Sequence, residues 1–161
     1  MNKKLQVPLD DETDYGLCFA CGPRNTAGLH LEFEKLADSV KTTYSALEEH
    51  QGFPGYLHGG IISTLLDEVM NRVSVLENQW TMTGRMDVRF RRPVMIGQTV
   101  TVIGRKIRGH GRVWEVQGSV RLPSGTLAAE ATGTYILIPS KKLLEMSTEY
   151  PRLNSEWLIT S

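Results

Sequence analysis

One predicted helix constrains the fold of this chain more than any other segment. After His58, residues 59–77 place their apolar side chains at the spacing that brings them to one side of an α-helix. The opposite side carries small side chains and one carboxylate, that of Asp67, but no lysine. A solvated helix face is normally rich in lysine, glutamate and arginine, so we predict a helix that is covered on both sides. The small polar side comprises Gly60, Ser63, Thr64, Asp67, Asn71 and Ser74.

The rest of the chain is dominated by alternating apolar and polar residues, the pattern of half-buried β-strands. Two such segments precede the helix around Ala37-Asp38, as in a β-hairpin, and four follow it, separated by turn-forming residues. One helix that is covered on both sides requires a sheet that curls around it. The pattern therefore predicts an α+β fold, in which a curved antiparallel sheet wraps around one long central helix and the last three strands form a meander. The predicted strands are residues 29–36, 39–46, 80–92, 98–108, 111–122 and 126–138.

The length and charge of the chain limit its organisation and its partners. We predict one domain over residues 1–161, with an irregular leader at 1–28 and a tail at 140–161 that contains a possible short helix. The net formal charge is +0, which gives no general attraction to nucleic acid. No apolar run reaches the roughly 18 residues that a membrane span requires, and the N-terminus lacks the apolar core of a secretory signal. We therefore expect a cytoplasmic protein without nucleic-acid or membrane partners.

The leader contains the pair Cys18-x-x-Cys21. A structural zinc ion normally needs four protein ligands, and His30 is a possible third, but no fourth candidate follows nearby. A redox pair is expected at the start of a helix that follows a strand, whereas glycine, proline and asparagine here indicate turns. We interpret the pair as part of a structural turn with reduced thiols, and we expect no metal and no cofactor.

Three segments together resemble a known family. The stretch HGGIISTLLDEVM, preceded by HQGFPGYL and followed by FRRPVMIGQTV, resembles the hotdog-fold acyl-CoA thioesterases, in particular the phenylacetyl-CoA thioesterase-like group. The leader CFACGPRNTAGLHLEF is also similar to leaders of some bacterial members, so that the resemblance covers roughly residues 18–139. It implies the hotdog fold and an enzyme that hydrolyses an acyl-CoA thioester to the free acid and coenzyme A.

The resemblance also implies catalytic roles for particular residues. Gly59 would lie at the helix N-terminus, where its backbone N–H polarises the thioester carbonyl, and Gly60 would allow close approach of the substrate. Asp67 would act as general base on water or as nucleophile on the acyl carbon. Thr83 would hold the attacking water. His58 would either contact the substrate or fix the loop by bonding to the backbone, and Glu68 is the alternative acid.

The distance along the helix implies that a site is built from two chains. Asp67 lies about 11 Å along the axis from the helix start, which is too far for Asp67 and Gly59 of one chain to act on the same carbonyl. In the resembling family each site combines the helix start of one chain with the carboxylate of another. We therefore expect a homodimer, or a dimer of dimers, and the small polar helix face suits such an interface.

The substrate-binding candidates are less specific. Several members of the family have an asparagine before the histidine, and Gln51 or His50 would substitute for it here. Aromatic and thioether side chains are candidates for the acyl pocket, and arginines for the coenzyme A phosphates. The alternatives to a thioesterase are a hotdog-fold hydratase or dehydratase of acyl thioesters and a non-catalytic acyl-CoA binding protein. The pocket and phosphate candidates are Phe53, Tyr56, Met82, Arg91, Arg92, Arg108 and Arg112.

Overall fold

A six-stranded antiparallel sheet wraps around one central helix in the computed structural model, which describes residues 14–149. The strand order is β1-β2-β4-β5-β6-β3, so β4, β5 and β6 form the predicted meander and β3 pairs with β6. The predicted α+β architecture is confirmed. The elements are β1 Glu34–Lys35, β2 Ser39–Ser45, α1 Gly59–Asn71, β3 Thr81–Phe90, β4 Thr99–His110, β5 Val113–Arg121, β6 Leu127–Leu137 and α2 Ser140–Glu149, with 3-10 turns at Asp14–Leu17, Glu48–His50 and Arg72–Glu77.

The first predicted strand is much shorter than expected. The hairpin around residues 37–38 is present, with Glu34 opposite Lys41, but β1 contains only two residues. The alternation over residues 29–33 is real, since Leu29, Leu31 and Phe33 are buried. However, the N–H groups of Leu29 and Leu31 donate to carbonyls of the Cys18–Cys21 turn, at 2.8 and 2.9 Å. The prediction of a strand over residues 29–36 was wrong because this segment is hydrogen-bonded to the leader.

Helix α1 lies directly on glycines of the sheet. Its apolar side is buried as predicted, with Leu65, Leu66 and Val69 fully inaccessible to solvent. Gly104 of β4 faces the helix backbone, and a Cβ atom at that position would lie 2.7 Å from the Val69 carbonyl oxygen. The neighbouring strand repeats the arrangement, because a Cβ atom on Gly118 would lie 2.7 Å from the Met70 sulfur. Because Gly104 and Gly118 have no side chains, strands β4 and β5 can pack closely against α1.

We expect Gly104→Ala to lower the free energy of unfolding by about 1–3 kcal/mol. The added methyl group would overlap backbone atoms of α1, which cannot move away by a change of rotamer as a side chain can. Urea denaturation measures the change. Gly109→Ala in the same strand is the control, because its methyl group meets only side-chain atoms, the nearest at 3.0 Å. Equal losses for the two variants would contradict the proposed close packing of helix and sheet.

The central helical segment ends where the sequence predicted, near residue 77, but its last part is a 3-10 helix and not an α-helix. The α-helix stops at Asn71, and residues 72–77 continue as a 3-10 helix. Asn78 then adopts a left-handed conformation with φ 51°, and its N–H donates to the carbonyls of the preceding turn. Asparagine tolerates this conformation better than most residues, which explains why the helix ends there.

Strand β3 packs along the polar side of α1 and forms one edge of the sheet. Asn71 donates to the carbonyl of Thr81 at 3.3 Å, and Thr83 donates to Asp67 at 2.7 Å. The sequence predicted that the polar face of α1 is covered, and a strand of the same chain, β3, covers part of it. The other edge of β3 has no neighbouring strand among residues 14–149, and ten residues is long for an exposed edge.

Parts of the predicted termini lie outside the described residues. These parts are the leader up to residue 13 and the tail from residue 150. Within the described part of the tail, Ser140–Glu149 form α2, which buries Leu143 and exposes Leu144. Within residues 14–149 neither helix is long and apolar enough to cross a membrane.

Candidate active site

The carboxylate of Asp67 receives two hydroxyl hydrogen bonds on the same oxygen. Thr83 donates to Oδ1 at 2.7 Å and Tyr135 donates to Oδ1 at 3.0 Å. No described residue donates to Oδ2. Asp67 is half-buried, so its carboxylate is held in one orientation with a free oxygen directed away from the two hydroxyls. A carboxylate held this way can accept a proton from a water molecule or attack an acyl carbon.

A β-bulge brings Thr83 to Asp67. The pairing of β3 with β6 shifts register between Thr83 and Arg85, which leaves Gly84 as the extra residue. Such a bulge re-aims the neighbouring side chains. Thr81 and Thr83 both face α1 on one side of the bulge, and Met86 faces the core on the other side. Glycine within a strand is the sequence signal for a bulge.

Tyr135 is a site residue that the sequence interpretation missed. It lies on β6, is fully buried, and in the alternating pattern of that strand it has the place of an ordinary core residue. Burial, and then the neighbouring Asp67 carboxylate, raise the pKa of the Tyr135 hydroxyl, which therefore keeps its proton and remains a donor. A buried tyrosine requires a partner for its hydroxyl, and this requirement was the available signal.

The start of α1 is built by His58, Gly59 and Gly60. His58 is the N-cap: its Nδ1 accepts from the Gly60 N–H at 2.8 Å, and its carbonyl accepts from Ile62. A Cβ atom on Gly60 would lie 2.8 Å from that Nδ1, so only glycine fits beneath the ring. The Gly59 N–H donates to no acceptor among residues 14–149 and carries the partial positive charge of the helix start. Of the two roles predicted for His58, the geometry favours fixing the loop.

The loop that precedes α1 is closed by Gln51 and presents aromatic rings. The Gln51 side-chain oxygen accepts from the Gly55 N–H at 3.2 Å, and residues 51 and 57 form a β-bridge. Phe53 and Tyr56 project from this loop with 76% and 38% of their surface exposed. Gln51 is therefore engaged by its own loop, while both rings remain available to a ligand or to another chain.

Phe90 is a further apolar residue at the helix start that the sequence interpretation did not single out. Its ring atoms lie 3.6 Å from the position of a Cβ atom on Gly59, although 55% of its surface is exposed. Met95 is also exposed and forms a bridge with Tyr56. Together with Phe53 these residues form an apolar rim beside the free Gly59 N–H.

The remaining predicted binding residues are not brought to Asp67. Met82 is exposed and alternates with Thr81 and Thr83, so it lies on the face of β3 that points away from α1. The arginines lie at the two ends of the sheet. Arg91 pairs with Glu130 at 2.6 Å, and the next residue, Arg92, is exposed. At the opposite end Arg108 pairs with Glu115 at 2.5 Å, and Arg112 donates weakly to the Leu137 carbonyl at 3.5 Å.

Glu68 has a structural partner. It accepts from Arg72 at 2.7 Å, and both side chains are largely buried. Burial alone would lower the pKa of Arg72, but the charge of Glu68 and its hydrogen bond to Arg72 raise that pKa. Glu68 therefore balances a buried cation, which makes it a poor alternative to Asp67 as the reacting acid.

A groove of about 800 Å³ lies elsewhere on the molecule. Its walls include Ile103 and Arg105, which alternate with the helix-facing Gly104, so the groove is on the outer face of the sheet. It contains neither Gly59 nor Asp67. Charged side chains of both signs line it, and we assign the candidate site to Asp67 and the helix start because the oriented carboxylate and the free N–H group are there.

Fold and sequence together define the class of protein. Residues 54–129 match the sequence model described as the thioesterase superfamily, and this stretch includes the loop before α1, the helix and most of the sheet. The six-stranded sheet around one helix is the fold of the hotdog thioesterases. Residues 54–129 are therefore similar to the thioesterase superfamily, and the fold is that of the hotdog thioesterases, as the resemblance in the sequence implied.

Particular relatives support the same class. Mouse acyl-coenzyme A thioesterase THEM4 is 28% identical over 122 residues, which is 73% of this chain and 53% of that protein. The chain thus spans about half the length of this curated relative. A thioesterase superfamily protein of known crystal structure aligns with a TM-score of 0.72 at 25% identity, over 81% of this chain and 68% of that chain. A Streptococcus mutans protein solved with bound acetyl-CoA aligns with a TM-score of 0.64 at 21% identity, over 67% and 88%.

Proposed function

We propose that this protein is an acyl-CoA thioesterase, which hydrolyses an acyl thioester to the free acid and coenzyme A. The observation that carries the proposal is the Asp67 carboxylate: Thr83 and Tyr135 donate to its Oδ1, whereas Oδ2 has no donor within residues 14–149. The names of the relatives support it, because THEM4 is an acyl-coenzyme A thioesterase and the Streptococcus mutans structure contains acetyl-CoA.

In the proposed reaction Asp67 acts on water. The free carboxylate oxygen takes a proton from a water molecule, and the resulting hydroxide adds to the thioester carbonyl carbon. The C–S bond then breaks, and the coenzyme A thiolate leaves and is protonated. The Thr83 hydroxyl donates its hydrogen bond to Asp67 Oδ1, so its oxygen lone pairs remain able to accept a hydrogen bond from the same water. General-base assistance of this kind typically contributes about 10²–10⁴-fold.

The Gly59 N–H is the proposed oxyanion donor. It lies at the start of α1, where the unpaired backbone N–H groups and the helix dipole favour developing negative charge. The N-cap contact of His58 occupies the Gly60 N–H, whereas the Gly59 N–H has no acceptor among residues 14–149 and is available as a donor. The apolar rim of Phe53, Tyr56, Phe90 and Met95 would lie beside the reacting carbonyl and contact the acyl group.

The proposed site spans two chains. Asp67 and Gly59 are separated by about 11 Å along α1, whereas reacting groups must approach to roughly 3–3.5 Å. A second copy with its helix antiparallel to the first would bring its Gly59 to the Asp67 of this chain. Strand β3 supports this arrangement, because its unpaired edge runs beside Asp67 and is long enough to pair with another chain.

We expect the protein to sediment as a homodimer or a dimer of dimers at micromolar concentration. The physical reason is that the outer edge of β3 has no partner strand among residues 14–149, and that Gly59 and Asp67 of one chain are too far apart to act on the same carbonyl. Analytical ultracentrifugation measures the mass directly. Recovery of only an 18.0 kDa species would remove the two-chain site.

The same dimer would bring the two arginine groups toward one substrate. Arg91 and Arg92 lie at the end of β3 near the helix start, and Arg108 and Arg112 lie at the opposite end of the sheet. In an antiparallel pair the first group of one chain lies near the second group of its partner. Arginines suit the phosphates of coenzyme A because each presents several N–H donors in a fixed plane.

The proposed chemistry requires no metal, since the base, the nucleophilic water and the oxyanion donor account for each step. We expect the folded fraction of the double variant Cys18→Ser, Cys21→Ser to have the turnover of the wild type. We also expect treatment with a chelator to leave the rate unchanged. Loss of activity on chelation, restored by zinc, would contradict this mechanism.

A panel of acyl-CoA substrates tests the function directly. Release of coenzyme A is followed with a thiol-detecting reagent, and hydration of an enoyl-CoA is followed in parallel by its loss of ultraviolet absorbance. The proposal predicts thiol release from at least one acyl-CoA at a rate that Asp67→Asn lowers by at least about 10². Hydration without thiol release would indicate the hydratase class, and tight acyl-CoA binding without either reaction would indicate a binding protein.

A further inference from the structure

The two cysteines of the leader meet the buried Glu68–Arg72 pair near the C-terminal end of α1. Cys18 is half-buried and Cys21 is buried. The two sulfur atoms and a Glu68 carboxylate oxygen all lie within 4.8 Å of one another. Arg72 donates to the Cys21 sulfur at 2.9 Å and to Glu68 at 2.7 Å. This cluster is separate from Asp67 and plays no part in the proposed hydrolysis.

The turn that carries the cysteines is tightly wound. The Gly22 N–H donates to the Cys18 carbonyl at 2.8 Å, and a Cβ atom on Gly22 would lie 2.5 Å from the Cys18 backbone nitrogen. The backbone N–H groups of Ala20 and Cys21 are directed at the Cys18 sulfur. The turn thus holds one sulfur against the other and supplies donors to the more exposed of the two.

The electrostatics distinguish the two thiols. The hydrogen bond from the Cys21 thiol, together with the backbone donors, lowers the pKa of Cys18 to about 6, although burial and Glu68 oppose the shift. The same hydrogen bond and burial raise the pKa of Cys21. At neutral pH Cys18 is therefore the thiolate and Cys21 keeps the proton. A half-buried thiolate beside a protonated thiol is the arrangement of an attacking and a resolving cysteine.

A metal ion fits this cluster poorly. Cys18, Cys21 and Glu68 offer three ligand atoms, but the Arg72 guanidinium already donates to two of these groups. Arg72 is only 7% exposed, so its charge cannot be screened by solvent. A divalent cation would have to lie beside this buried positive charge, or displace it, at a high electrostatic cost.

We propose that Cys18 and Cys21 form a reversible dithiol–disulfide site that exchanges with small-molecule disulfides. The Cys18 thiolate attacks one sulfur of the small disulfide, forms a mixed disulfide and releases one thiolate. The Cys21 sulfur then attacks Cys18, forms the Cys18–Cys21 bond and releases the second half of the small molecule as a thiol. Two protein electrons thereby reduce one disulfide to two thiols, and the Cys21 proton leaves with the second product. The reverse sequence restores the dithiol.

Arg72 links this site to α1. In the reduced protein its guanidinium donates to the Cys21 sulfur, and in the oxidised protein the disulfide sulfur is a weaker acceptor. The contacts that favour the Cys18 thiolate stabilise the reduced form, so the disulfide would be more readily reduced than a typical structural one.

Equilibration of the folded wild-type protein in glutathione redox buffers tests the proposal. We expect both thiols to be lost together as the buffer becomes more oxidising, with a product that has lost two hydrogens by mass spectrometry and retains its fold. Under reducing conditions we expect alkylation of Cys18 by iodoacetamide to have its half-maximal rate near pH 6, far below the value of 9.0 for an unperturbed thiol.

Two single variants separate the roles of the thiols. Cys21→Ser should stop at the mixed disulfide with glutathione, whereas Cys18→Ser should form neither the mixed disulfide nor the internal one while folded. The wild-type titration decides the question if either variant fails to fold. Thiols that stay fully alkylatable in the most oxidising buffer would overturn the proposal, as would stoichiometric zinc binding that protects both thiols in the reduced protein.

Discussion

Asp67→Asn is expected to lower kcat for acyl-CoA hydrolysis by at least about 10² while leaving KM nearly unchanged. The substitution removes the charge and the basicity of the carboxylate. It retains an oxygen that can accept from Thr83 and Tyr135, so the local hydrogen bonds can persist. The variant therefore separates loss of a proton acceptor from loss of structure. Steady-state kinetics with the preferred acyl-CoA, together with a thermal melt, measure both effects.

A matched control lies on the adjoining strand. Asp87 on β3 is exposed and pairs only with the exposed Arg85 at 2.7 Å, so Asp87→Asn should leave both kcat and stability close to wild type. Glu68→Gln is expected to retain far more turnover than Asp67→Asn, but it leaves the buried Arg72 without its charged partner and should lower stability. Hydrolysis by Asp67→Asn at the wild-type rate would show that the carboxylate is only a packed polar group.

Gly59→Pro is expected to lower kcat by about 10²–10³, the usual cost of removing one oxyanion donor. Proline deletes the N–H and little else at this position, because the first residue of a helix tolerates it well. The preceding His58 has φ −62° and ψ 135°, which is the conformation that a residue before proline prefers. A melting temperature close to that of the wild type would show that α1 still forms.

Gly59→Ala is the control for Gly59→Pro. It keeps the N–H, and its methyl group would contact the Phe90 ring at an ordinary distance of 3.6 Å, so most of the activity should remain. Equal losses in the two variants would mean that space at Gly59 matters and the N–H group does not.

Mixing the two inactive variants tests whether the site spans chains. In a dimer of one Asp67→Asn chain and one Gly59→Pro chain, one site carries both lesions and the other carries none. Random exchange should therefore restore about a quarter of the wild-type sites. Activity that stays at the level of the parent variants after exchange would show that each site lies within one chain.

The candidate site was predictable from sequence where its geometry is local. His58, Gly59 and Gly60 stand where the apolar helical repeat begins, so the local pattern alone placed them at the helix start. Thr83 was predicted from the family resemblance, and the structure gives it a direct hydrogen bond to Asp67. The role of Glu68 could not be read from the pattern, since its partner Arg72 becomes a buried cation only once the leader packs over it.

The sequence by itself determined the repeating elements: one helix with an apolar side, the positions of five of the six strands, and the turns between them. These follow from side-chain periodicity and turn chemistry, which act over a few residues. Only the tertiary structure decided that β3 lies at the sheet edge, that Tyr135 reaches Asp67 across 68 residues, and that Arg72 reaches Cys21 across 51. The physical reason is that such contacts depend on the register of strands and on which residues of α1 face them. Both are set when the whole sheet closes around the helix.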